Sequence, residues 1–296
     1  MTRPTEAANP SSRGIDVRPM GEVLRVISGE DTRVAGAVAA QLPAIERAVE
    51  KVIGTLLGGG RVFMVGAGSS GRLCVLEAAE VPPTFGVPPG LFQGVVAGGV
   101  RALAGSVEAA EDNPEAARAE LRRRGLSQGD LVLGVAASGN TPYTLGAVRY
   151  AWEVGAATVG LSCNAGSELS RLVEAPIEVV VGSEVVAGST RMKAGTATKM
   201  VLNMVTTAAM VRLGRVHDGY MVGVQATNAK LADRSRRTLC SLTGLGLLEA
   251  GRALEEAGGD LRVALVVALT GVEVDEARRS LEGWVSVRDA LGRLRA

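Results

Sequence analysis

The chain is poor in cysteine, in histidine, in aromatic rings and in long apolar runs, and neither sign of charge dominates. Its three cysteines, Cys74, Cys163 and Cys240, lie far apart and form no C-x-x-C pair. That excludes a disulfide framework and suits the reduced, buried thiols of a cytoplasmic protein. Lysine and arginine number 32 against 31 aspartates and glutamates, a formal charge of +1, and basic residues form no long run. A nucleic-acid binder normally carries a basic stripe, so that class is set aside. The start, MTRPTEAANP, has no apolar signal core. The longest apolar stretch, VALVVAL at 263–269, falls far short of the ~20 residues a membrane helix needs. No histidine, cysteine and carboxylate grouping suggests a metal site, and the single histidine, His217, sits in a glycine-bounded joint away from any motif. These absences point to a cytoplasmic protein with no membrane span, no nucleic-acid partner and no metal site.

What is present is a regular alternation. Residues 1–19 read as an extended arm rich in Pro, Ser and Arg. Apolar positions at helical spacing from Met20 to about Leu57 suggest two helices, one ending near Gly29 and one at the Gly58-Gly59-Gly60 break. RVFMVGAG, GVVAGG, DLVLGVAAS, ATVGLSCN and IEVVVG read as short buried strands. Helical stretches separate them: SSGRLCVLEAAE stopped by Pro82-Pro83, RALAGSVEAAE, PEAARAELRRRG and TPYTLGAVRYAWEVG. A long helix follows from about Ser189 to Leu213. Val-rich strands alternating with helices imply a parallel sheet covered on both faces, with ligands beyond the carboxyl ends of its strands. After Gly214 the pattern is helical throughout. The expected division is an N-terminal arm with helices over 1–57, an α/β domain over 58–215 and a small helical domain over 216–296.

The loop VGAGSSGRL carries Gly66, Gly68 and Gly71 in the spacing G-x-G-x-x-G. A dinucleotide fold places an acidic residue about 20 positions later to hold a ribose hydroxyl. Here that region is PPGLFQGVVAGGV, without Asp or Glu. Ser69 and Ser70 at the helix start suit a terminal phosphate instead; glycines chosen only for tight packing are the plainer reading. A second strand ends in AASGNTPY. There Thr141 and Pro142 fit the first positions of a helix, and capping alone accounts for those two residues. Ser138 and Asn140 are less well explained by capping and would add phosphate or sugar-hydroxyl partners. A third stretch, GSEVVAGSTRMKAGTATK, sets Ser189, Thr190, Arg191 and Lys193 near the start of the long helix. Basic groups there oppose the helix dipole, and an anionic ligand would account for them.

The two strand–Ser/Gly–helix loops resemble the sugar isomerase (SIS) domain, whose loops clasp the phosphate of a phosphosugar. GSEVVAGSTRMKAGTATK narrows the likeness to the N-acetylmuramic acid 6-phosphate etherases and the glucokinase regulatory protein. LEAAEVPPTFGVPP, VEAAEDN, SCNAGSELS, QATNAKL and TEAANPSSRGID resemble the etherase pattern, nearly along the whole chain. Val81, Ser183 and HDGYMVGV depart from it. The resemblance implies an SIS-type three-layer α/β sandwich with N-terminal helices and a small C-terminal helical domain. It also implies a phosphosugar substrate, a homodimer, and removal of the D-lactyl ether from C3 of the sugar 6-phosphate in cell-wall sugar recycling.

Such chemistry wants a base for the acidic C2 proton of the open-chain sugar and an acid for the departing lactate oxygen, and it needs no metal or organic cofactor. Glu80 and Glu111 match the family's two catalytic glutamates. Glu80, expected at a helix C-terminus where the dipole favours the protonated acid, is assigned to the lactate oxygen; Glu111 is assigned to C2. On spacing alone both are readable as solvated helix-end carboxylates, Glu111 the more so because Glu108 and Asp112 compete with it. Ser69, Ser70, Ser138, Asn140, Thr141, Ser189 and Lys193 are the expected substrate and phosphate contacts. Arg72 or Lys193 could meet the lactyl carboxylate, and Glu77 is read as a packing residue. Two other functions keep the same fold: an aldose–ketose phosphosugar isomerase, and a non-catalytic phosphosugar sensor.

Overall fold

The computed structural model describes residues 4–107, 109–224 and 229–295. Glu108 and positions 225–228 of the QATNAKL stretch lie outside the described residues. The chain divides into two compact units, one running to Ala79 and resuming over Gly90–Thr206, the other made of Glu80–Pro89 and Thr207–Ala296.

In the first unit, α1 (Met20–Ala39) and α2 (Leu42–Leu57) precede a five-stranded sheet. Gly29 does not end α1, which runs ten residues further; its buried Glu30, Val34 and Val38 recur at helical spacing and carry the helix past the glycine. Pro43 near the start of α2 supplies the break instead. The remaining elements alternate: β1 (Val62–Gly66), α3 (Gly68–Phe85), β2 (Phe92–Val96), α4 (Arg101–Ala104), α5 (Pro114–Arg123), β3 (Leu131–Val135), α6 (Pro142–Glu153), β4 (Ala157–Ser162), α7 (Glu168–Leu172), β5 (Ala175–Glu178) and α8 (Lys193–Arg212). Strand order is β2-β1-β3-β4-β5, every pair parallel. Phe63 and Val65 of β1 and Val132 of β3 join one apolar cluster with Ala117 and Leu121 of α5 and Ala147, Val148 and Ala151 of α6. The helix α2 packs on the same sheet through its Ile45, Val49, Val52 and Leu56 stripe. Burial on both faces is why these strands are continuous apolar runs rather than alternating ones.

Two expectations need correction. Among the described residues, RALAGSVEAAE is helical only over α4, with a 3-10 turn at Ala110–Asp112. Helix α3 is not stopped by Pro82-Pro83; both lie inside it. Each proline removes one N–H from the ladder, yet the last turn persists because Val81 and Phe85 are buried and Gly86 N donates to Pro82 O at 2.9 Å.

The second unit holds a small hairpin, β6 (Val216–His217) and β7 (Tyr220–Met221), then α9 (Ala229–Thr243), α10 (Leu247–Glu256), α11 (Leu261–Thr270), α12 (Val274–Ser280) and α13 (Val287–Arg295). The departure HDGYMVGV is this hairpin: Asp218 and Gly219 both have positive φ, 48° and 80°, as a type I′ turn requires. Leu239, Leu254, Leu261, Leu265, Val266 and Leu281 form its core.

Candidate active site

The sheet order reverses between β1 and β3, so the connections leaving their carboxyl ends diverge and leave a crevice there. Both serine-bearing loops open onto it. Gly68, Ser69 and Ser70 from the first turn of α3, and Ser138, Asn140 and Thr141 after β3, line one cavity of about 330 Å³. The N-terminal turns of α3 and α6 therefore meet at this space, each with unpaired N–H groups and the positive end of a helix dipole. That arrangement suits an anion such as a phosphate.

The glycines of the first loop are accounted for by close approach. A Cβ on Gly71 would lie 2.5 Å from Gly66 O, and one on Gly66 would lie 2.8 Å from Gly71 N. Packing explains those two residues but not the hydroxyls of Ser69 and Ser70. Thr141 has N-cap backbone angles, yet its side chain makes no capping hydrogen bond, so the hydroxyl is not consumed by the helix. Asn140 is largely spoken for. Its Nδ2 donates to Ser138 O at 3.0 Å, its Oδ1 accepts from Glu168 N at 3.3 Å, and its own N donates to Ser138 Oγ at 3.2 Å. It shapes the loop that carries Ser138.

A third wall comes from Gly188 and Thr190 and a fourth from Glu6. Ser189, half-buried between those two, is not among the lining residues. Glu6 reaches the cavity because residues 4–17 are not an extended arm but a string of 3-10 turns bonded to the segments that follow β4 and β5. Thr5 is fully buried: its Oγ1 accepts from Asn164 Nδ2 at 3.0 Å and its carbonyl accepts from Gly188 N at 3.2 Å. Asn9 adds a bond from Nδ2 to Ser183 O at 3.0 Å. Sequence reasoning missed Glu6 because the groups that dock Thr5 beside it, Asn164 and Gly188, are more than 150 residues away; the likeness of TEAANPSSRGID to the etherase pattern was the available signal.

The start of α8 is also corrected. The anion that its basic first turn calls for is supplied by the protein itself. Glu184, fully buried, accepts from Lys193 N at 3.0 Å and Ala194 N at 2.9 Å, and Lys193 Nζ is ion-paired with buried Glu30. Lys193 is 1% exposed, so its ammonium is not presented to the cavity. Burial pushes the Glu30 carboxyl up, but the hydrogen bonds from Lys193 and Asn9 and the charges of Lys193 and Arg33 outweigh it and hold the group below its ordinary range.

Glu111 lies on the 3-10 turn before α5, exposed on its own unit, and lines the cavity together with Asp112. It also lines an adjoining cavity of about 370 Å³, which shares Ala67 and Gly68 and contains Arg72. The Arg72 guanidinium donates to Ala102 O and Gly105 O, each at 2.8 Å, and so pins the loop that leads to Glu111. Glu80 belongs to the other unit. It lies inside α3, not at its end, and its side chain is exposed, so the dipole argument for it does not apply. Glu77, buried, accepts from Lys199 Nζ (2.8 Å), Asn203 Nδ2 (2.9 Å) and Thr206 Oγ1 (2.6 Å), which makes it an anchor between α3 and α8.

Known proteins place this geometry. A family model described as the glucokinase regulatory protein N-terminal SIS domain matches residues 44–152, the span holding both loops and Glu111. A curated N-acetylmuramic acid 6-phosphate etherase from Rubrobacter xylanophilus is 53% identical over 97% of this chain and 95% of its own length. The chain belongs to the N-acetylmuramic acid 6-phosphate etherase family. A second etherase, from Geobacillus thermodenitrificans, is 46% identical over 95% of this chain and 96% of its own. Among solved structures, a phosphoheptose isomerase from Neisseria gonorrhoeae superposes with a TM-score of 0.51 at 15% identity, covering 64% of this chain and 98% of that one. At that identity the likeness establishes the SIS-type fold, with helices on both faces of the parallel sheet. In this etherase-family chain no helix among the described residues is long and apolar enough to cross a membrane.

Proposed function

We propose that this chain cleaves the D-lactyl ether of N-acetylmuramic acid 6-phosphate, giving N-acetylglucosamine 6-phosphate and D-lactate. The observation that carries the reading is the cavity at the β1/β3 border, in which two helix N-termini with Ser69, Ser70, Ser138 and Thr141 face Glu111. The 6-phosphate takes the two N-termini, and the sugar carbons then extend toward the carboxylate.

In the open-chain sugar the C2 proton is acidic because C1 is an aldehyde, and the C3 ether oxygen is β to it. Glu111, as base, takes the C2 proton; the electron pair forms the C2–C3 double bond, and the C3–O bond breaks as an acid protonates the lactate oxygen. Water then adds at C3 and a proton returns to C2, so atoms balance and no redox partner is required. Glu80 is proposed as the acid on its match to the family's second glutamate. The adjoining cavity beside Arg72 would take the lactyl group, with Glu111 standing between it and the phosphate end. By the same resemblance the chain is read as a cytoplasmic homodimer.

The test is turnover of N-acetylmuramic acid 6-phosphate in ¹⁸O-water with both products weighed by mass spectrometry. Label at C3 of the sugar and none on lactate is expected. A C3 oxygen without label, or label on lactate, would overturn elimination and hydration. The fold likeness to phosphoheptose isomerases favours a second reading, aldose–ketose isomerisation, which would give a ketose phosphate and no lactate.

A further inference from the structure

The second unit contains a cavity of about 470 Å³ that the proposed reaction does not use. Its wall brings together Arg215, Arg262 and Arg278, with Asp260 as the one carboxylate among its lining residues. Arg215 follows the end of α8 and lies with its guanidinium 4.8 Å from the centre of the Trp284 ring. Arg262 stands in the first turn of α11 with a side chain only 13% exposed.

Two of these guanidinium nitrogens, Arg215 Nε and Arg262 Nη1, are buried with no hydrogen-bond partner among the described residues. Buried donors are nearly always satisfied, and guanidinium donors are especially costly to leave open. The neighbouring carboxylate does not satisfy them. Asp260 Oδ1 accepts from Arg262 N at 2.9 Å and Val263 N at 3.4 Å as the cap of α11, and it lies 4.0 Å from Arg262 Nε, beyond hydrogen-bond reach. The two arginines also repel: burial, then the charge of Arg262, brings Arg215 down to about 10, still protonated near neutrality. Mutual repulsion between cavity-lining arginines that also carry unpartnered buried donors is a state that an anion would relieve.

We infer that this cavity is an oxyanion site of the second unit, built for a phosphate or phosphate-monoester group held by Arg215 and Arg262. Three guanidinium charges against one committed carboxylate leave about two positive charges, which match a doubly charged phosphate better than a carboxylate. The cavity is larger than the one at the β1/β3 border, so it has room for a small group attached to the phosphate.

The test is binding of radiolabelled inorganic phosphate to the full chain by equilibrium dialysis. Arg262→Gln is expected to remove one bound phosphate per chain relative to the parent while lactate release is retained. Asp260→Asn, which still caps α11, is expected to tighten that phosphate several-fold, and this variant guards against a loss that merely reports misfolding. Displacement of the Arg262-dependent phosphate by N-acetylglucosamine 6-phosphate would mark a sugar phosphate as occupant; failure to displace it would mark free phosphate, and either supports the site. Identical isotherms for the parent, Arg262→Gln and Asp260→Asn would overturn it.

Discussion

Lys193 is the residue whose role shifted most between sequence and structure, and its replacement separates two kinds of importance. The ammonium is 1% exposed, Glu30 is 3% exposed, and Glu30 is the carboxylate that pairs with it among the described residues. Removing one member of a buried pair strands the other charge and costs ~3–5 kcal/mol. For Lys193→Met the lower end applies, because Glu30 keeps Arg33 at 3.2 Å as well as the Asn9 hydrogen bond. For Glu30→Gln the upper end applies, because the ammonium is left with a neutral amide. With a urea dependence of about 3 kcal/mol per molar, a loss of ~3 kcal/mol lowers the midpoint by ~1 M in a circular-dichroism titration. The double replacement Glu30→Leu with Lys193→Met should recover most of that loss, since an apolar pair of similar volume avoids both desolvations. The pH dependence has a definite sign. The folded Glu30 carboxyl is held low, so its contribution is present above the ordinary carboxylate range and disappears as pH falls through the lowered value. The gap between parent and Glu30→Gln should therefore close in acid and be full at neutral pH. A Lys193→Met protein with an unchanged midpoint and abolished turnover would refute this account and return Lys193 to the substrate.

Other expectations are simpler. Thr141→Val should raise KM for the phosphosugar tenfold or more with a change in Tm of about 1 °C or less, because the hydroxyl makes no capping bond; a large fall in Tm would show a structural role. Gly139→Ala should cost stability and phosphate affinity together, since Gly139 has φ +70° and a Cβ there would lie 2.3 Å from Ser167 Cβ; an unperturbed crystal structure of the variant would contradict it. In native protein a disulfide reagent should titrate Cys240 well before Cys74 and Cys163, which are buried, with burial pushing Cys163 up to about 12; rapid release of three thiols per chain would contradict the packing.

Most of the α/β region was legible because its signals are local. Strands β1, β3 and β4 are short apolar runs followed within a few positions by glycine or small polar residues, and Pro114 and Pro142 mark the starts of α5 and α6. The two phosphate-type loops were legible for the same reason, since each is a strand end, a glycine and a hydroxyl cluster within a few positions. Local signals also misled. Gly29 and Pro82-Pro83 look like helix ends, but burial of Val34, Val38, Val81 and Phe85 outweighs a propensity cost. The Asp218-Gly219 turn was a readable hairpin signal that was passed over.

The sequence by itself determined the fold class, the family and the chemistry that the site must accommodate, because these depend on residue types at short spacing and on a pattern spread along the whole chain. Only the tertiary structure decided which charged groups face the cavity. Lys193 turned inward to Glu30, 163 positions away, and Glu6 was carried into the wall by Thr5 and Asn164, 159 positions apart. A buried charge takes whatever partner the fold brings within about 4 Å, and that partner's position along the chain leaves no local mark.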